Sequence, residues 1–151
     1  MSLVAKWGPH AARVVLALPF LVTGLNYFLN FLPTPPMPSD RARLFLDGLI
    51  ASGYIFPVLR TIEVASAIAL LTNRFVPLAL TLLAPILVNI AGVHFLLLGG
   101  YPIPIALLAL EIYLVWGHRA AFAPMLRARA TPAALAADRG ARADRFGFAS
   151  R

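Results

Sequence analysis

The stretch Thr72 to Leu98, TNRFVPLALTLLAPILVNIAGVHFLLL, constrains the fold more than any other part of the chain. It is an apolar run long enough to cross a bilayer, for which about 20 residues of helix suffice. Three of its residues do not suit a plain lipid-facing helix. Pro85 has no N–H and crowds the carbonyl of Thr81, which predicts a bend and a freed acceptor. Asn89 and His94 place an amide and an imidazole inside the apolar run. In lipid every polar group has to be satisfied from within the protein. The run therefore reads as the helix around which others pack. An ordinary proline kink with an interhelical bond from Asn89 is the plain structural alternative.

The rest of the chain agrees with a membrane setting. It has 151 residues, of which 60% are hydrophobic and 13% charged, with a mean hydropathy of +0.82. A soluble domain carries roughly 25% charged residues. The formal net charge of +7 is first a topology signal and not a sign of nucleic-acid binding. There is no cysteine, which excludes a disulfide scaffold, a thiolate nucleophile and an iron–sulfur site.

The expected fold is all-α, a polytopic four-helix membrane bundle occupying residues 1–119. Its spans fall at about 11–32, 54–71, 74–98 and 101–118. The first has a basic Lys6 before it but is too long for a signal-peptide core and lacks a cleavage site, so it reads as a retained signal anchor. Arg13 is expected to snorkel to the headgroups. The loop PTPPMPSD follows, with four prolines in eight residues, and Ser39 or Asp40 then caps RARLFLDGLIASG. At about thirteen residues this segment is too short to span, and reads as an interfacial or re-entrant helix. Asn73 and Pro77 are the start signal of the third span, and Gly99-Gly100-Tyr101-Pro102 is the turn into the fourth. Residues 120–151 form a basic, alanine-rich tail, mostly disordered or lying on the membrane surface, in which Thr131 and Pro132 could start one short helix.

Ten of the thirteen basic residues fall on the side of the termini, with only Arg41, Arg43 and Arg60 on the other. The positive-inside rule then puts both termini in the cytoplasm and the chain in the cytoplasmic (inner) membrane. At a rise of roughly 1.5 Å per residue, Asn26 lies ~9 Å from the outer end of its span, Arg60 ~8 Å and Glu63 ~12 Å. By the same measure Asn89 lies ~14 Å in, His94 ~6 Å and Glu111 ~15 Å. All four spans thus feed one polar layer. Ionisable groups inside a span cost about 2.5–3.5 kcal/mol each on the insertion scale and usually face the protein interior. Arg60 and Glu63 are three apart and can pair on one helix face. Glu63, Arg60, Asn26, Asn89, His94 and Glu111 are accordingly the candidate ligand-binding residues. No two candidate ligands have the spacing of a metal site in a helix bundle, and one histidine makes no haem pair.

These residues also carry a resemblance. FLVTGLNYF over Phe20–Phe28, Gly53-Tyr54 with Pro57, Arg60-Thr61-Ile62-Glu63, and above all LLTNRFVPLALTLLAPILVNIAGVH over Leu70–His94 resemble the DoxX family of small four-span membrane proteins. The resemblance runs from about Arg13 to Trp116. It implies a four-helix membrane bundle and, for some relatives, a place in quinone-dependent sulfur oxidation or a membrane redox assembly. Three functions follow as alternatives. One is a redox-assembly subunit with a quinone or similar apolar ligand between its helices and a redox protein as partner. The second is a carrier or binder of a lipid or small molecule. The third is a non-catalytic assembly subunit in which the polar layer only fixes helix register.

Overall fold

The computed structural model describes residues 3–33 and 38–128, with side chains from Trp7 onward. It is all-helical, with no strand among the described residues. The helices are α1 (Leu3–Leu29), α2 (Asp40–Ala51), α3 (Ile55–Leu71), α4 (Val76–Val93), α5 (Pro102–Gly117) and the four-residue α6 (Arg119–Phe122). Two segments, Trp7–Leu29 and Val76–Leu98, are long and apolar enough to cross a membrane. The pair α2 and α3 meets the same test only as one broken span bent by 89°, and α5 is apolar but shorter. By its contacts the chain divides into two units, Met1–Arg119 and Ala120–Arg151. In the described part of the second, the N–H of Met125 donates to the Phe122 carbonyl at 2.9 Å. Thr131, Pro132 and most of the expected basic tail lie outside the described residues, as does much of the proline-rich loop.

Within the first unit α1 packs on α3 and α5, and α4 packs on the same two helices. The most extensive pairing is α1 on α3, not a pairing of the Thr72–Leu98 stretch. Its cause is Gly24. A Cβ placed there would come within 2.6 Å of Val64 Cγ2 and 3.4 Å of the Arg60 carbonyl oxygen. Only the missing side chain lets α1 approach the Arg60–Val64 turn so closely, as small residues do at helix crossings in membranes. Leu16, Ala17, Leu70, Leu80, Leu83 and Leu87 fill the core.

Several expectations are corrected. The first helix starts at Leu3, not near Ala11, and passes through Pro9. Gly8 lies against the Tyr113 hydroxyl on α5, where a Cβ would sit 3.1 Å from it, so tertiary docking holds turns whose local sequence is unfavourable. The helix ends at Leu29, short of Leu32, because Asn30 takes a left-handed φ of 51° and its N–H donates to the Asn26 carbonyl at 2.7 Å. Arg13 does not reach outward. It is 7% exposed, donates to His10 Nδ1 at 2.5 Å, and its Nε has no partner. Asn73 does not cap α4. That helix starts at Val76 after Phe75, which has a left-handed φ of 54° and makes no side-chain cap.

Other expectations hold. The short helix after the proline-rich loop is present, and of its two candidate caps Ser39 does the capping, accepting the Ala42 N–H at 3.2 Å. Gly99 and Gly100, at φ 70° and 81°, make the turn before α5.

Gly24→Ala forces Val64 to move in a closely packed crossing. It should destabilise the protein by about 1–3 kcal/mol, read as a fall in melting temperature in detergent. Gly48, on α2, has open space where a Cβ would go. Gly48→Ala should leave the melting temperature unchanged or raise it by the helix-propensity gain of roughly 0.5–1 kcal/mol. Equal effects of the two changes would contradict the close α1–α3 approach.

Candidate functional site

The α2–α3 corner builds the site. Ser52 Oγ donates to the Leu49 carbonyl at 2.6 Å and accepts the Ile55 N–H at 3.3 Å, tying the end of one helix to the start of the next. Gly53 supplies the left-handed residue at the corner, φ 72°. The 89° bend lays α2 across the first turns of α3 and against the segment that follows α4. That segment, His94–Leu98, is wound more widely than an α-helix, and the Gly99 N–H donates to the His94 carbonyl at 2.8 Å, five residues back. Wide turns of this kind are frequent at functional sites.

Between α2, α3 and this part of α4 lies a cavity of about 400 Å³. Its polar wall is Arg60, Glu63, Asn89 and His94, and its apolar wall includes Phe45, Leu49, Phe56 and Pro85. The structure thus brings four of the six expected residues together. Asn26 and Glu111 stand apart from this cavity. The Asn26 Oδ1 accepts the Leu32 N–H at 2.6 Å, closing the end of α1. Glu111 points into the helix core from α5, 5% exposed, with Oε1 unpartnered.

The centre of the polar wall is an ion pair. Arg60 Nη1 donates to Glu63 Oε2 at 2.6 Å. The Glu63 side chain is 1% exposed and that of Arg60 24%. The guanidinium also lies over the Phe56 ring, 5.7 Å from its centroid. Phe56 in turn stacks on Tyr27 of α1, with centroids 6.1 Å apart. Arg60 is therefore held from two directions, while its Nε remains buried without a partner. His94 directs Nδ1 at the Ile90 carbonyl, 2.8 Å away. Asn89 is exposed at the cavity mouth and also lines a second hollow with Arg41. On the other side an apolar groove between α3 and α4, with Val58, Ile62 and Leu82, shares Ile55, Leu59, Pro85 and Ile86 with the cavity.

The sequence did not single out Phe45, Phe56, Ser52 or Gly24 for the site. Their roles depend on the corner and on interhelical distance. The aromatic spacing Phe56-x-x-x-Arg60 was the one usable local signal, since residues four apart share a helix face. Among the described residues no group of three or more His, Asp or Glu side chains is arranged to hold a metal ion. Comparisons with known protein families, with curated proteins and with solved structures find no match to this chain.

The burial difference across the pair predicts an asymmetry. Arg60→Met leaves the more deeply buried Glu63 without its partner and should cost about 3–5 kcal/mol. Glu63→Gln leaves a more exposed cation and should cost less. The double variant Arg60→Met, Glu63→Gln removes both charges and should recover most of the loss. Thermal unfolding of the three variants in detergent checks this order, and equal losses in the two single variants would contradict it.

Proposed function

We propose that this chain is a DoxX-like integral membrane protein with four spans, α1, α3, α4 with its wide turn, and α5, packed as a bundle. Both termini face the cytoplasm and α2 lies at the outer surface. The cavity beneath α2 binds an apolar ring ligand of the quinone class, and the chain serves as a subunit of a membrane redox assembly whose electron carrier resides in a partner protein. The topology rests on the ten-to-three division of basic residues.

One observation carries the ligand reading: a cavity of about 400 Å³ with aromatic and aliphatic walls and a few convergent polar groups, Arg60, Glu63, Asn89 and His94. Small-molecule sites have this constitution and are commonly ~300–1,000 Å³. Arg60 and the Asn89 amide can donate to ring oxygens. The adjoining groove, which is apolar and begins at the shared residues Ile55, Leu59, Pro85 and Ile86, offers a course for an isoprenoid tail between α3 and α4.

Two measurements on the same protein test the reading. Cysteines placed at Ser39 and at Arg119 should label from opposite faces of sealed vesicles, and labelling from one face would overturn the topology. A short-tailed ubiquinone should bind the wild type and lose at least about tenfold in affinity for the Arg60→Met, Glu63→Gln variant, the loss expected when charge-assisted hydrogen bonds are removed. Unchanged binding in a folded double variant would reduce the pair to a packing device.

A further inference from the structure

The hydrogen bond made by His94 fixes what the cavity can recognise. A backbone carbonyl only accepts, so the bond from Nδ1 to the Ile90 oxygen at 2.8 Å puts the proton of the neutral ring on Nδ1. Nε2, on the far edge of the ring, then carries a lone pair. It has no hydrogen-bond partner among the described residues, and the imidazole lines the cavity. His94 is therefore an acceptor toward an occupant, not the donor that a quinone carbonyl would require.

The same wall restricts the donor it can take. Arg60 and Glu63 share this wall as a closed pair, so an ammonium finds no net negative charge there. Glu63 has its Oε2 bonded to Arg60, so the two side chains together present no net charge to attract a free anion. A neutral hydroxyl is the donor left. The walls around it include Phe45 and Phe56, which suit a flat ring.

We infer that the cavity takes a neutral hydroxyl-bearing aromatic, a phenol or hydroquinone, with its O–H donated to His94 Nε2. A ring oxygen elsewhere on the ligand accepts from the Asn89 amide at the cavity wall. The inference rests on the quinone-class reading and sharpens it, because it assigns the tighter binding to the reduced, hydroxyl-bearing form. His94 is a binding residue in this scheme, and no electron or proton transfer is assigned to it.

The test compares tetramethylhydroquinone, its dimethyl ether and tetramethylbenzoquinone for binding to the full chain in detergent under anaerobic conditions. The hydroquinone should bind at least about fivefold tighter than the ether or the quinone, the worth of one hydrogen bond that leaves no buried acceptor empty. His94→Phe keeps a ring and removes both nitrogens, and should abolish the preference. His94→Gln restores an oxygen acceptor and should recover part of it. Independently of any ligand, nitrogen NMR of the wild type should show His94 protonated at Nδ1 and bare at Nε2. Equal binding of the three compounds, or a proton on Nε2, would overturn the inference and leave the quinone-class cavity standing. Binding of none of the three would overturn both.

Discussion

A carboxylate almost wholly out of water has to be answered by a cation, and Glu63 is the group that sets this demand. Its side chain is 1% exposed, and the only salt bridge among the described residues is the one it makes to Arg60. In low dielectric, breaking such a pair is far more costly than never having had it. The neighbouring structure keeps the pair intact. Phe56 and Tyr27 hold the guanidinium from the α1 side, and the absence of a side chain at Gly24 lets α1 close over the turn that contains Arg60. The most extensive helix pairing and the one ion pair among the described residues thus lie on the same two turns of α3.

Helix packing alone would leave that pair in a groove. The corner at Ser52 and Gly53 converts the groove into a cavity, because it swings α2 across the end of α3 and onto the wide turn at His94. The wide turn contributes in its own right. Its first residue, His94, lines the cavity and engages one ring nitrogen with the Ile90 carbonyl. An amphipathic cover, a charge pair at the back and an oriented imidazole at the side are the parts of a site for an apolar molecule with a polar head.

How much of this was legible in the sequence follows from the range of each interaction. The Arg60–Glu63 pair, the short helix after the prolines and the Gly99-Gly100 turn are local, and a reading of spacing and turn chemistry finds them. Arg60, Glu63, Asn89 and His94 were placed at comparable depth by counting residues, and the structure gathers them around one cavity. Depth does not say which face of a helix a residue occupies, and so Glu111 is buried in the helix core on α5, away from the cavity. Asn26 stands apart from the cavity because an asparagine near a helix end has a backbone alternative, which here is the Leu32 N–H. Arg13 and the early start of α1 could not be read at all. The early start of α1 depends on docking at Gly8 against Tyr113 of α5, a helix about a hundred residues further along the chain.

The most direct test of the cavity beneath α2 is an experimental density map of the full chain in a lipid nanodisc, with tetramethylhydroquinone added. A ring-shaped density bounded by Phe45, Arg60, Asn89 and His94, with α2 folded over it, is the result expected. A collapsed, dry layer in which Phe45 fills the space beside Glu63, with no non-protein density there, would contradict it and return the polar residues to a purely structural role.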